Sequence, residues 1–295
     1  MRILVAGDSL GLPRPHRINN YSPDEKELAV AYEETYSSIL GRELLKYYNF
    51  DSHVEVINRS KRFYTIKDVN TEFADHLFFF EPDVIVMQVG IVDCWFREHL
   101  NGGQMVNKVD YEQHLLNILN LLKYRPNCRL IIIGISPTSS KMEKKYKGIN
   151  KEIQTYNQVL KSYVNNKNVF YVDLEKYIKP DSTAEFLLPD DHHLNKNGNK
   201  LIASLLIELL KAFVYSDKGV YDYNAGKLEE SLLHLQKAFG YYPGYIDNLC
   251  NCLLLCHQLG KLNELNEFIS YIEKNKIKGQ EVESILSAIK SRYIN

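Results

Sequence analysis

Two short stretches hold the residue types that could do covalent chemistry. The first is Gly7-Asp8-Ser9-Leu10, directly after the apolar run at residues 2–7. A serine placed where a strand turns into a loop is exposed, as a nucleophile must be, and needs only a base within hydrogen-bond reach. On its own, the tetrapeptide is equally a chance turn or a helix cap. The second stretch is Asp190-Asp191-His192-His193-Leu194-Asn195. Asp190 and His193 are three positions apart. On a turn, that spacing lets the carboxylate meet one imidazole nitrogen and fix the tautomer, leaving the other as a base. His192 falls outside this spacing. Asn195 also suits the N-cap of a helix beginning at Lys196, which is compatible with the catalytic reading. Two aspartates beside two histidines raise a metal site as well, but four adjacent residues cannot all converge on one ion, so no metal is assigned.

The surrounding elements must bring Ser9 and His193 together. Short β-branched, apolar runs at 2–7, 54–58, 83–90, 129–134 and 169–174 read as five strands. Helical periodicity separates them at 27–48, 111–123 and 151–164, and a closing helix spans about 196–214. Continuous apolar strands alternating with helices predict a parallel sheet covered on both faces. Such sheets place function just beyond the strands' C-terminal ends. The stretches to watch are therefore 7–10, 58–62, 90–97 and 134–139.

After residue 214 the strand signal stops. Gly226-Lys227-Leu228 recurs as Gly260-Lys261-Leu262, an offset of 260 − 226 = 34. That is the period of tetratricopeptide repeats. Gly219, Ala238 and Pro243 fit the pattern in the first unit, and the second unit is poorer. The chain thus divides into 1–214 and a helical repeat module at 215–295. So short an array buries its faces on a neighbour. Either the closing helix or a protein partner supplies that neighbour.

The pairing of the two chemical motifs is more specific than either alone. Gly7-Asp8-Ser9-Leu10 at the end of the first strand, with Asp190, His193, Asn195, Gly198 and Ala203 before the last helix, resembles the SGNH or GDSL hydrolases. Tyr156-Asn157 is similar to a further recurring family feature. The resemblance covers about residues 1–214. It implies a flavodoxin-like three-layer α/β/α fold, with Ser9 as nucleophile, His193 as general base and Asp190 as its orienting acid. It also implies an oxyanion hole built from the serine N–H, a glycine N–H after the second strand and an asparagine side chain after the third.

This chain departs from the last two. Gly90-Ile91-Val92-Asp93 has Val92, which lacks a donor, where the family has asparagine. Phe63 falls about where the glycine is expected. Losing one oxyanion donor typically costs ~10²–10³ in rate, so another group must substitute or turnover is weak. Asn58, Arg59 and Ser60 lie at the right strand end to substitute. Asp8, Gly90, Asp93 and Arg14 complete the candidate substrate and oxyanion residues. Arg14, His16 and Arg17 follow Ser9 on a basic stretch that either meets an acidic sugar or is simply solvated.

Gly90-Ile91-Val92-Asp93-Cys94 together with residues 7–14 resembles a variant SGNH subgroup associated with surface polysaccharide, and that resemblance implies an esterase acting on O-acetyl groups of carbohydrate. Two alternatives share the residues: a sugar O-acyltransferase, and a catalytically weak glycan-binding or scaffold protein. Composition limits the field further. The chain has 295 residues, 36 Lys+Arg against 37 Asp+Glu, and 45% hydrophobic residues. A net charge of −1 disfavours a broad nucleic-acid face. Nucleotide-loop and zinc-protease motifs are absent, so no cofactor is expected. Five scattered cysteines without a C-x-x-C pair read as free thiols in a reducing compartment. With no signal-peptide or membrane-spanning pattern, the expected location is cytoplasmic.

Overall fold

The computed structural model describes residues 1–15, 28–47 and 53–293. Five strands form one parallel sheet: β1 (Arg2–Gly7), β4 (Glu55–Asn58), β5 (Val84–Gln88), β6 (Arg129–Ile133) and β7 (Val169–Val172). Their spatial order is β4-β1-β5-β6-β7, the flavodoxin-like arrangement. β1 and β5 are buried along nearly their whole length, as expected of strands covered on both faces. Two short strands, β2 (Arg14–Pro15) and β3 (Leu28–Val30), pair antiparallel outside this sheet.

Register decides where the functional loops meet. Val5 pairs with Asn58, and Gly7 pairs with Gln88. The chain leaving β1 is therefore level with the chain leaving β4 on one side and β5 on the other. This is the point where strand order reverses, and it opens a crevice beyond the strand ends.

The sheet is flanked by α1 (Tyr36–Tyr47), α2 (Ile66–Ala74), α4 (Lys108–Leu122) and α6 (Ile149–Ser162), with the shorter α3 (Ile91–Cys94) and α5 (Ser140–Lys145) between. Tyr36, Tyr111 and Tyr156 are among the largest fully buried side chains. Each begins or lines an apolar helix face, so the tyrosine-rich composition partly builds the core. The helix expected over 27–48 begins only at Tyr36. Leu28–Val30 is engaged as β3 opposite Arg14–Pro15, and a 3-10 turn at Tyr32–Glu34 follows. Strand pairing with a distant segment overrides local periodicity there. α2 was not expected. Its capping box, Thr65 with Asp68, is the sequence signal that marks it.

The closing helix α7 (Lys196–Asn224) is 29 residues long, well past residue 214. The chain divides into two compact units, Met1–Leu206 and Ile207–Asn295. The division falls inside α7, earlier than the 214/215 boundary read from sequence.

In the second unit, α8 (Leu228–Tyr241) and α10 (Leu262–Asn275) begin 262 − 228 = 34 residues apart. α9 (Ile246–Leu259) and α11 (Gln280–Tyr293) begin 280 − 246 = 34 apart. Gly226 and Gly260, at φ +75° and +67°, make the left-handed turns ahead of α8 and α10. The Ser231 hydroxyl donates to the Gly219 carbonyl at 2.7 Å, so the end of α7 acts as the helix against which α8 packs. Leu232, Leu249, Leu253, Leu265 and Phe268 form the core. All five cysteines are buried and outside any disulfide, three of them within this core. Among the described residues, no helix is long and apolar enough to cross a membrane.

Candidate active site

Ser9 is held by its neighbours on both sides. Asp8 caps a single 3-10 turn over Ser9–Gly11, its Oδ1 accepting the Leu10 amide at 2.9 Å. The Asp8 amide donates to the Gln88 carbonyl at 3.1 Å, which ties the turn to the end of β5. From the β4 side, Asn58 Nδ2 donates to the Gly11 carbonyl at 2.8 Å and to Ser37 Oγ at 3.0 Å. The turn that carries Ser9 is thus fixed across three strand ends.

The other half of the site is a tight turn before α7. Asp190 Oδ1 accepts the amides of His192 and His193 at 3.3 and 3.0 Å. Asp191 takes a left-handed φ of +64°, a conformation that aspartate tolerates better than most residues. The turn closes with the Leu188 amide donating to the His193 carbonyl at 2.7 Å.

Across 184 residues of sequence, His193 Nε2 lies 2.9 Å from Ser9 Oγ. Its Nδ1 lies 2.7 Å from Asp190 Oδ2. Arg14 Nη2 lies 3.0 Å from the same Nδ1. One ring nitrogen cannot both donate to a carboxylate and accept from a guanidinium. The carboxylate is nearer and negatively charged, so Nδ1 carries the proton and Nε2 accepts from the Ser9 hydroxyl. Arg14, which is buried, then acts on Asp190 through its charge.

Electrostatics agrees with that tautomer. Burial works against ionising Asp190, but the His193 hydrogen bond and the charges of both imidazoles outweigh it and hold the carboxyl well below its ordinary range. Burial also pushes the His193 imidazole down, to about 4, with His192 and Arg14 adding to the shift and Asp190 opposing it. At neutral pH the pair is a carboxylate beside a neutral imidazole. Asp190, His192 and His193 bring ligand atoms within 4.8 Å of one another, the arrangement a metal would need. Here Asp190 Oδ2 and both His193 nitrogens are already committed to hydrogen bonds.

Ser9 and His193 open onto a cavity of about 300 Å³. Phe63 and Val92 line it, as do Arg14, Arg62 and Arg97. Val92 sits in α3, one turn beyond β5, and presents no donor. Gly90 starts that turn at φ +137°, and a Cβ there would come within 2.3 Å of the Ile135 side chain. Phe63 holds φ +61°, a region that favours glycine and costs a bulky residue ~1–2 kcal/mol. Phe63 thus holds a backbone conformation that glycine would take more cheaply. Among the described residues, neither the Ser9 nor the Phe63 amide makes a backbone hydrogen bond.

The remaining candidates do not line the cavity. Asn58 spends its side chain on Gly11, Ser37 and the Ser60 amide. Arg59 lies over the Phe80 ring, 5.4 Å from its centroid. Asp93 is fully buried, and its Oδ1 accepts the Ile66 amide at 2.9 Å, fastening the start of α2. Burial pushes Asp93 up to about 8 and Asp8 up to about 7. Each keeps a buried Oδ2 without a partner. Asn157 brackets both backbone groups of Ile135, at 2.8 and 2.9 Å, and so positions the chain after β6. His16 and Arg17 lie outside the described residues.

Sequence reasoning passed over Trp95 and Arg97, which line the cavity. Trp95 meets the His192 ring edge-on at 5.0 Å, and His192 Nδ1 donates to the Asp190 carbonyl at 2.8 Å. The signal was available: Trp95 is the chain's single tryptophan and stands in the stretch just beyond a strand end.

Residues 15–201 match the family described as GDSL-like Lipase/Acylhydrolase. The matched span begins after Ser9 and includes Asp190 and His193. No curated protein matches the chain. Among solved structures, an alpha/beta hydrolase enzyme from the metagenome of Lake Arreo, Spain, superposes with a TM-score of 0.53 at 18% identity, over 68% of this chain and 91% of that one. The lipase/acylhydrolase from Enterococcus faecalis does so with a TM-score of 0.51 at 20% identity, over 70% and 94%. At these identities the likeness speaks for the fold. The family match spans more than half the chain: this protein belongs to the GDSL-like lipase/acylhydrolase family, hydrolases that act on ester bonds.

Proposed function

We propose that the protein is a serine esterase that removes O-acetyl groups from a carbohydrate or a related small ester, using Ser9, His193 and Asp190. The observation that carries this reading is the continuous hydrogen-bond line from Ser9 Oγ to His193 Nε2 and from His193 Nδ1 to Asp190 Oδ2, opening on a cavity. In the first step Ser9 Oγ attacks the ester carbonyl carbon, and its proton passes to His193 Nε2. The tetrahedral intermediate collapses as His193 returns that proton to the leaving alcohol. Water, deprotonated by the same nitrogen, then attacks the acyl-serine, and as the acyl–oxygen bond breaks His193 returns the proton to Ser9 Oγ and the acid leaves. Asp190 stays ionised and stabilises the imidazolium formed in each half-reaction.

The amides of Ser9 and Phe63 are the oxyanion donors in this scheme. Val92 supplies none, and this one observation supports a second reading: a weakly catalytic glycan-binding or scaffold protein on the same fold. A sugar O-acyltransferase would use the same residues with an acceptor hydroxyl in place of water. Helices beyond residue 214 serve in either case as a tetratricopeptide-like module for a protein partner.

Hydrolysis of p-nitrophenyl acetate by the wild type and by Ser9→Ala, side by side, tests the assignment. The expected result is turnover in the wild type and its loss in the variant. Equal rates in both would remove Ser9 as nucleophile. Turnover that needs an added sugar acceptor would favour transfer.

A further inference from the structure

Three guanidinium groups line the cavity, and they are not equivalent. Arg14 is tied to Asp190 and His193. Arg97 is half-buried, stands over the Trp95 ring at 5.5 Å from its centroid, and reaches the Val92 carbonyl only at 3.5 Å. Its Nε is buried without a partner. Arg62 is exposed at the same cavity. Elsewhere three arginines find carboxylates, Arg2 with Glu55 at 2.7 Å, Arg125 with Glu81 at 2.8 Å and Arg42 with Glu43 at 3.6 Å, while Arg59 lies over the Phe80 ring. Among the described residues, neither Arg62 nor Arg97 has such a partner. The one carboxylate bonded within the site, Asp190, is held by His193.

Keeping a guanidinium half-buried without a counter-charge costs free energy, because its hydration is lost and nothing replaces it. Stacking on Trp95 recovers only ~0.5–2 kcal/mol of that. Burial accordingly shifts Arg97 below the ordinary arginine range. A planar fork with free N–H groups is suited to bidentate recognition of a carboxylate or phosphate. A ligand that carries the missing negative charge would complete the site.

Resting on the esterase reading above, we propose that the ester substrate bears an anionic group, a carboxylate or a phosphate, which binds Arg97 and Arg62 while its acyl carbon faces Ser9. The cavity then selects acetylated acidic sugars over neutral ones. The stack on Trp95 holds the Arg97 plane while its outer edge meets the ligand.

Acetate release from three esters tests this: an O-acetylated methyl glucoside, the matching methyl glucuronide and O-acetylated glucose 6-phosphate. The acidic esters are expected to exceed the neutral one in kcat/KM by about tenfold or more, the value of one charge-assisted hydrogen bond. The gain should lie in KM and shrink as salt is added. Arg97→Ala should cut the acidic-to-neutral ratio about tenfold, with partial rescue in Arg97→Lys. The better of the two acidic esters identifies the anion. Equal kcat/KM for neutral and acidic esters, or a ratio unmoved in Arg97→Ala, overturns the proposal while leaving the esterase reading intact. Should no ester turn over, the esterase reading fails, and calorimetry with unacetylated methyl glucuronide and glucose 6-phosphate decides the anion site. Binding that is lost in Arg97→Ala sustains it, and no binding overturns it.

Discussion

The residue that most separates this site from its family pattern is Val92. It lines the cavity beside Ser9 and His193 but offers no hydrogen to a developing oxyanion. Val92→Asn is expected to raise kcat for p-nitrophenyl acetate, by up to the ~10²–10³ that one such donor is worth. KM should change little, because the interaction strengthens only in the transition state. Steady-state kinetics of the variant checks this, and an unchanged kcat would mean that existing donors already fill the role. His193 makes a second forecast at this scale. Its imidazole is pushed down to about 4 by burial, so the neutral, base-competent form persists well below pH 6.5. The pH profile of kcat/KM should stay flat from neutrality to about pH 5 and fall only near pH 4. An acid limb near 6.5 would show that His193 is solvated in the working enzyme.

At the scale of elements, the turns after β1 and β5 are anchored by buried acids. Asp93 joins α3 to the first amide of α2, and Asp8 caps the turn that carries Ser9. Burial raises both, Asp93 to about 8 and Asp8 to about 7. In the unfolded chain an aspartate titrates near 3.9. The folded state therefore binds more protons between about pH 4 and pH 8, and stability falls as pH rises through that window. Asp93→Asn keeps the oxygen that accepts from Ile66 and removes the charge. Its advantage in melting temperature over the wild type should be larger at pH 9 than at pH 5, because at pH 5 the wild type has lost only part of that stability. Thermal melts at the two pH values test this, and a variant that is less stable at pH 9 would contradict it.

The molecule as a whole joins an enzyme fold to a helical repeat whose helices restart every 34 residues. Repeats of this kind are stable only through their neighbours. α11 covers the second unit's core with Val282 and Ile289, both buried. A chain ending at residue 279 loses both side chains. At ~1.5–3 kcal/mol for each buried side chain, the second unit should be weakened by about 3 kcal/mol or more. Urea denaturation followed by far-UV circular dichroism would show an earlier transition. An unshifted transition would mean that α11 adds nothing to the second unit's core.

Much of this arrangement is set by short-range order, and that part was legible in the residues. Strands at 2–7 and 129–133 are apolar runs that no helix could expose. The Asp190–His193 pairing is local, three positions on one turn. The 34-residue recurrence of Gly-Lys-Leu marks helix restarts because glycine alone takes the left-handed turn cheaply. Other features depend on distant partners and had no local signal. Leu28–Val30 is a strand only because Arg14–Pro15 lies beside it. Phe63 adopts a glycine's backbone conformation despite its side chain. Asn58 and Arg59 stand at the expected strand end, yet one is consumed by the turn that carries Ser9 and the other lies over Phe80. Trp95 and Arg97 stand in a stretch the strand ends already marked, but they share a cavity with Ser9 because β5 lies beside β1 in the sheet, an order that sequence spacing does not encode. The sequence by itself determined which elements form and which residues carry reactive groups, since propensity and periodicity act over a few residues. Only the tertiary structure decided which of those groups share a cavity, because that follows from strand order and register, and from which polar side chains are already satisfied elsewhere.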